Sequence, residues 1–95
     1  MLPELFSIIE DRKANPKTGS YTNQLMAGGE DMILQKVGEE AVEVLLAAKG
    51  QGSERLIAEI ADLFYHTLVL ISAQGLSLAQ VEEELARRHG QRQEQ

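Results

Sequence analysis

Two short acidic runs are the part of this sequence best suited to chemistry. The first run, Lys36-Val-Gly-Glu-Glu-Ala-Val-Glu43, contains the carboxylates of Glu39, Glu40 and Glu43. The second run, Glu59-Ile-Ala-Asp62, repeats the three-residue acidic spacing later in the chain. Residues three and four apart lie on the same face of a helix. Each run therefore places carboxylates side by side if both segments are helical.

Projection onto a helix shows that the charged residues of the first run do not all point in the same direction. With about 100° per residue and Ile33 as the origin, Glu40 falls at the edge of the apolar stripe. Lys36 and Glu43 lie on the same flank as Glu40, whereas Glu39 lies further toward solvent. The projection predicts that Glu40 and Glu43 face a neighbouring helix and that Lys36 lies between them.

The second run lies on one flank of a strongly apolar segment. Glu59, Asp62 and His66 are spaced by three and four residues. The short turn Gly50-Gln51-Gly52 makes the two helices antiparallel neighbours. The two acidic pairs are therefore expected at similar distances from the turn along the helix axes. Asp62 has apolar neighbours in sequence, where a bare charge would be costly.

Four converging carboxylates repel one another unless a cation neutralises them. Ligation by oxygen alone suits Mg²⁺ first and Mn²⁺ second. The predicted ligands are Glu40, Glu43, Glu59 and Asp62. A substrate phosphate would be a further ligand of the metal. The competing interpretation is a solvated acidic helix face; it is favoured for Glu39 alone, whereas the two pairs together favour a site. For His66, a metal-ligand or acid–base role and a purely structural role remain open.

The hydrophobic pattern predicts an all-α chain. Apolar residues recur at three- and four-residue intervals, and glycine, proline and serine mark the breaks. We expect a small bundle of four to five helices, built on an antiparallel helical hairpin and completed by dimerisation. The predicted helices are 3–14, 21–27, 30–49, 54–74 and 78–89, with Ser20 or Thr22, Ser53 and Ser77 as caps. The chain is expected to form a single domain over 1–95, with a polar tail from about residue 90.

The composition of the chain argues against several classes of function. The chain has 95 residues, a formal charge of −6 and no cysteine. The acidic balance argues against nucleic-acid binding, which requires a basic face. The lack of cysteine excludes disulfides, thiolate metal sites and cysteine catalysis, and it agrees with a cytoplasmic location. No apolar run approaches the roughly 18 residues needed to span a bilayer, and no signal peptide is apparent, so no membrane association is expected.

These motifs resemble the phosphoribosyl-ATP pyrophosphatase family, which belongs to the all-α, MazG-like nucleotide pyrophosphatases. The resemblance covers residues 2–89. It rests on five motifs in this sequence: Arg12-Lys13, Ser20-Tyr21-Thr22, Lys36-Val-Gly-Glu-Glu-Ala-Val-Glu43, Glu59-Ile-Ala-Asp-Leu-Phe-Tyr-His66 and Arg88-His89. The paired acidic motifs are typical of the superfamily, and the Ser-Tyr-Thr and Tyr-His segments point to this family within it.

The resemblance implies the second step of histidine biosynthesis, in which phosphoribosyl-ATP is hydrolysed to phosphoribosyl-AMP and pyrophosphate. It implies a cytoplasmic, nucleotide-binding enzyme that is a homodimer or a larger homo-oligomer. Glu40, Glu43, Glu59 and Asp62 would hold Mg²⁺, and Glu39 would be an outer-shell base. Candidate substrate contacts are Arg12, Lys13, Ser20, Thr22, Lys36 and His66.

Two alternatives stay open at this point. A house-cleaning pyrophosphatase for nucleoside triphosphates or deoxynucleotides would use the same four carboxylates. A non-catalytic helical module could use the acidic face to bind a basic partner, in which case Mg²⁺ would not stabilise the fold.

Overall fold

The chain folds into five α-helices, and no strand occurs among the residues described. The computed structural model describes residues 1–92, with side chains described through residue 90. The helices are α1 (Leu2–Ala14), α2 (Tyr21–Ala27), α3 (Glu30–Gly50), α4 (Ser53–Ala73) and α5 (Leu78–Arg92). The prediction of an all-α bundle is confirmed, and the helix boundaries agree to within one residue except at the end of α5.

The α3–α4 hairpin is the main body of the fold. The two helices have 21 residues each, and they pack against each other more extensively than any other pair. Gly29 and Gly52 precede them, both with φ of +88°, a conformation that glycine adopts without the steric cost of a Cβ. Gly52 occupies the cap position of α4, and Ser53 is the first helical residue without a side-chain capping bond. The prediction that Ser53 caps this helix was therefore wrong.

The hydrophobic core lies at the C-terminal end of α4. Side chains from the first four helices meet there, and those at most 9% exposed are Ile9, Leu25, Ile33, Leu68, Val69 and Ile71. Polar contacts tie α1 to the same end. The Lys13 ammonium donates to the Ser72 carbonyl at 2.8 Å, and the fully buried Ser72 hydroxyl donates to Glu10 at 3.3 Å. This end of the bundle is therefore closed by both apolar and polar contacts.

The caps of α2 and α5 have the predicted chemistry. The Ser20 hydroxyl accepts from the Asn23 N–H at 3.2 Å. Ser77 and Gln80 form a reciprocal capping box, with bonds of 2.8 and 3.2 Å.

Helix α5 runs to Arg92, so it extends beyond the predicted range of 78–89. Within α5, Glu84 pairs with both Arg87 and Arg88, and such pairs support a helix locally. The rest of the predicted polar tail, 93–95, lies outside the described residues.

Helix α4 is, by length and composition, apolar enough to cross a membrane, and it is the single such helix in residues 1–92. The expectation that no segment could do so was therefore too strong. Core helices pass the same test, and α4 carries Glu59 and Asp62 while it packs along α3 and α1.

Candidate functional site

A cavity of about 430 Å³ lies between α3 and α4, toward the turn that joins them. Its walls are almost entirely charged. The lining residues are Lys36, Glu39, Glu40, Glu43, Arg55, Glu59 and Asp62. Five carboxylates face two cations, which leaves a net charge of −3 on the lining. Such a concentration of negative charge favours the binding of a divalent cation.

Three of the carboxylates converge within this cavity. One oxygen from each of Glu40, Glu59 and Asp62 lies within 4.8 Å of the other two. Oxygens on one octahedral Mg²⁺, at roughly 2.1 Å from the ion, are about 3.0 Å apart when cis and about 4.2 Å apart when trans. The observed spacing needs only a small movement of side chains to reach these values. The donor set therefore fits a hard divalent ion bound through oxygen.

The burial of the two carboxylates on α4 differs from the prediction. Glu59 is buried, with 5% of its surface exposed, whereas Asp62 is exposed. The sequence neighbours of Asp62 suggested the opposite. Adjacent residues on a helix point about 100° apart, so apolar neighbours in sequence do not bury the residue between them. Glu59 is the carboxylate whose isolated charge would cost most.

Two cations partner the acidic groups. Arg55 Nε lies 3.0 Å from Glu59 Oε1, and Lys36 Nζ lies 3.9 Å from Glu40 Oε1. Arg55 was not among the predicted site residues. Its spacing of four residues from Glu59 is the signal that could have identified it.

Glu39 and Glu43 line the cavity beside the converging trio. Glu43 was predicted as a ligand; it shares the cavity but is not one of the three whose oxygens converge. Glu39 accepts from the Gln35 amide at 3.0 Å, and Lys36 Nζ lies 3.6 Å away. The Gln35 hydrogen bond, together with Lys36, lowers the pKa of Glu39 below its ordinary value. Glu39 is therefore a carboxylate at neutral pH.

His66 is buried and forms a bridge between α4 and α2. Its Nδ1 lies 2.7 Å from the Asp62 carbonyl oxygen, and its Nε2 lies 3.0 Å from the Tyr21 hydroxyl. A carbonyl only accepts, so Nδ1–H donates to it, and Nε2 shares the second hydrogen bond with the Tyr21 hydroxyl. His66 thus fixes the helical turn that carries Asp62. A role in substrate binding remains a prediction.

Thr22 is part of the same internal network. It is buried, and its hydroxyl bonds to the Tyr65 hydroxyl. Burial raises the pKa of Tyr65, and the bond to Thr22 partly offsets this shift. Ser20 caps α2 through its hydroxyl. Both hydroxyls predicted to contact substrate are thus engaged within the chain.

Arg12 and Lys13 lie away from the acidic cavity. Arg12 pairs with Asp11, and Lys13 contacts Ser72 and Glu10. Ser72 is ten residues beyond Asp62, which corresponds to about 15 Å along the helix. Of the six predicted substrate contacts, only Lys36 lines the cavity. Substrate contact by Arg12 and Lys13 stays a prediction.

Comparisons with known proteins found one family model and several similar relatives. Residues 2–89 match the family model described as phosphoribosyl-ATP pyrophosphohydrolase. The phosphoribosyl-ATP pyrophosphatase of Lactiplantibacillus plantarum is 52% identical over 89 residues, covering 94% of this chain and 84% of the relative. That of Methanocella arvoryzae is 43% identical over 90 residues, covering 93% and 95%. The histidine biosynthesis bifunctional protein of Parasynechococcus marenigrum is 46% identical over 87 residues, which is 92% of this chain and 39% of that protein.

Proposed function

The chain belongs to the phosphoribosyl-ATP pyrophosphohydrolase family, and from this membership we propose that it hydrolyses phosphoribosyl-ATP to phosphoribosyl-AMP and pyrophosphate with Mg²⁺ as cofactor. The observation that carries the proposal is the convergence of Glu40, Glu59 and Asp62 within a chain that matches the family from 2 to 89. A relative named for histidine biosynthesis supports a place in that pathway, and we propose a cytoplasmic location.

Four carboxylates are proposed to hold the metal. Glu40, Glu59 and Asp62 supply the converging oxygens, and Glu43 lines the same cavity. Mg²⁺ held by these residues, or Mn²⁺ in its place, would neutralise polyphosphate oxygens and stabilise charge on the leaving pyrophosphate. Without cations, a lining with a net charge of −3 would repel the substrate.

The protein groups around these ligands have roles that follow from their positions. Lys36 and Arg55 are the two cations on the cavity wall, and we assign them to phosphate oxygens. Glu39 is ionised at neutral pH and exposed, so it can accept a hydrogen bond from an attacking water and orient it. Its lowered pKa makes it a weaker base than an ordinary glutamate, which favours orientation over full proton removal.

A second copy of the chain is proposed to complete the enzyme. Several large apolar side chains of the central hairpin are at least half exposed: Val42, Leu45, Leu46, Ile57 and Phe64. The three on α3 share one face, and the two on α4 are seven residues apart, which also places them on one face. An apolar surface of this kind is typical of a protein interface. We propose a homodimer, or a larger homo-oligomer, that buries this hairpin surface.

A substrate comparison tests the proposed activity. Pyrophosphate release is measured with phosphoribosyl-ATP, dCTP and dUTP under the same Mg²⁺ concentration. We expect kcat/KM for phosphoribosyl-ATP to exceed the other two by at least about a hundredfold, or about 2.7 kcal/mol. A preference for a simple deoxynucleotide would instead identify a house-cleaning pyrophosphatase, which uses the same type of acidic cluster.

A metal titration tests the cofactor. A ligand at 100 times its Kd stabilises a protein by about 2.7 kcal/mol, so Mg²⁺ should raise the Tm of the wild-type protein. Glu40→Gln should remove this increase, and Glu30→Gln, at the far end of the same helix, should retain it. An equal Mg²⁺ response in all three proteins would contradict the metal assignment.

A further inference from the structure

A second cavity adjoins the acidic one and has different chemistry. It lies between α2 and α3 and has a volume of about 340 Å³. It is lined by Tyr21, Gln24, Leu25, Met32, Gln35 and Lys36. Lys36 also lines the acidic cavity, so the two spaces share a wall. An aromatic ring, apolar side chains and a few amides are the usual lining of a pocket for a planar organic group.

Tyr21 offers this cavity an aromatic ring that is exposed yet held in place. The residue is 45% exposed, although its hydroxyl is bonded to His66 at 3.0 Å. Its ring also stacks on Tyr65, with centroids 6.0 Å apart and planes at 27°. A ring fixed at its edge and on one face loses little conformational entropy when a base stacks on it. Tyr21 therefore has the properties of a preorganised stacking platform.

Two side-chain amides supply hydrogen-bonding capacity beside this ring. Gln35 uses its Nε2 to bond Glu39, and its carbonyl oxygen has no partner within the described part of the chain. The Gln24 side chain has no hydrogen bond to any residue that the structure describes. A glutamine amide matches the donor and acceptor pair on the edge of an adenine ring. Met32 adds a polarizable sulfur of the kind that packs well against aromatic rings.

A row of contacts leads from these amides to the acidic cluster. Gln35 bonds Glu39, and Lys36 lies 3.6 Å from Glu39 and 3.9 Å from Glu40. A nucleotide whose base occupies the α2–α3 cavity would therefore pass Lys36 before its polyphosphate reaches the carboxylates. This order matches the order of groups in a nucleotide, with base, first phosphate and distal phosphates in sequence.

Two other cavities among the described residues lack this combination. The groove among α1, α4 and α5 is almost wholly apolar and shares no residue with the acidic cavity. The cavity beside Lys13, of about 280 Å³, contains no aromatic residue and lies at the Ala73 end of α4.

We propose that the α2–α3 cavity binds the adenine base of the substrate, with Tyr21 stacking on the ring, Gln24 and Gln35 contacting its polar edge, and Lys36 contacting the phosphate nearest the ribose. This assignment rests on the proposed phosphoribosyl-ATP hydrolysis, because the polyphosphate must occupy the acidic cavity. It makes Tyr21 and Gln24 determinants of substrate affinity, separate from the residues that hold the metal.

Steady-state kinetics and AMP binding test the assignment. Gln24→Ala and Tyr21→Leu should raise KM for phosphoribosyl-ATP about tenfold, with kcat changed by less than about twofold. Tyr21→Phe retains the ring and should stay within about threefold of the wild-type KM. Gln51→Ala, in the exposed α3–α4 turn, is the matched control and should behave as wild type. Inhibition by tripolyphosphate, which has no base, should be unchanged in all four variants.

The outcomes separate this assignment from the activity itself. Unchanged KM in both Gln24→Ala and folded Tyr21→Leu would overturn the base site while leaving the hydrolysis intact. If inhibition by tripolyphosphate weakened as much as the affinity for phosphoribosyl-ATP, the assignment would also be overturned. The substitutions would then have disturbed the acidic cavity and not a base site. Calorimetric titration with AMP requires no turnover. If phosphoribosyl-ATP were not hydrolysed but both variants still lost AMP affinity, the base site would stand and the proposed substrate would fail.

Discussion

The two halves of α4 differ in what they contribute to the molecule. The N-terminal half carries Glu59 and Asp62 in the acidic cavity and leaves Ile57 exposed on another face. The C-terminal half contains Val69 and Ser72, both fully buried and packed in the bundle core. Glu59 and Val69 are ten residues apart, or about 15 Å along the axis. Activity and folding stability should therefore respond to substitutions at different ends of the same helix.

The largest expected effect is at the acidic end. Asp62→Asn retains the size of the side chain but removes one charge from the converging trio. We expect kcat/KM to fall by about a thousandfold, on the order of 4 kcal/mol of transition-state stabilisation. The free energy of unfolding without metal should not fall, because carboxylate repulsion is relieved. Asp31→Asn, an exposed change in the first turn of α3, is the control; equal losses in both variants would refute a special role for Asp62.

The next effect is at the core end. Ile9 is fully buried against α4, whereas its neighbour Ile8 is 52% exposed. Ile9→Ala should lower the free energy of unfolding by about 3 kcal/mol, because it leaves a cavity in the core. Ile8→Ala should change it by less than about 1 kcal/mol. Urea denaturation measures both values, and activity per folded molecule should be retained. A similar cost for the two substitutions would contradict the location of the core.

A smaller effect is expected on assembly. Leu45 and Ile57 are each 68% exposed on the hairpin surface proposed as the dimer interface. Leu45→Glu and Ile57→Glu should each weaken dimerisation at least about tenfold, because a charge would be desolvated at the interface. Leu76→Glu, in the loop before α5, should leave the dimer intact. Sedimentation equilibrium across a concentration series measures the dissociation constants. A wild-type protein that is monomeric at all concentrations would remove the basis of this prediction.

The smallest effect concerns alkaline stability. Burial raises the pKa of Tyr65 above its ordinary value of 10.0, so the folded state favours the neutral phenol. The stabilisation is complete below about pH 10 and is lost as the pH rises through the folded pKa. The free energy of unfolding of the wild type should thus decline above about pH 10, and that of Tyr65→Phe should decline less. Equal declines in wild type and Tyr65→Phe would contradict the shift.

Helical periodicity predicted where the helices lie and which face of each helix is apolar. It placed Glu40 at the edge of the α3 stripe, and it placed Glu59 and Asp62 on one flank of α4. The structure brings these three together. The prediction succeeded because the short α3–α4 turn leaves two antiparallel helices few ways to pack.

Periodicity could not predict the burial of individual residues. Whether Glu59 or Asp62 is buried depends on the rotation of α4 against α3, which the sequence of one helix does not determine. The positions of Arg12 and Lys13 depend on how α1 packs across α4, at the Ser72 end. The bond from His66 to the Tyr21 hydroxyl joins residues 45 positions apart and follows from tertiary packing. These features depend on how the helices pack in three dimensions, so the sequence pattern of single helices could not predict them.

The two ion pairs in the acidic cavity couple metal and substrate thermodynamically. Any divalent cation that binds Glu40 and Glu59 competes with Lys36 and Arg55 for their carboxylates. The lost ion pairs lower the intrinsic affinity for the cation, but they release an ammonium and a guanidinium group for phosphate. Breaking the two ion pairs costs free energy for either ligand that binds alone. When one ligand has already broken them, the other binds without this cost, and by linkage the effect is the same in both directions. We expect positive cooperativity: the apparent Kd for Mg²⁺ should fall as nucleotide concentration rises, by the same factor as Mg²⁺ strengthens nucleotide binding.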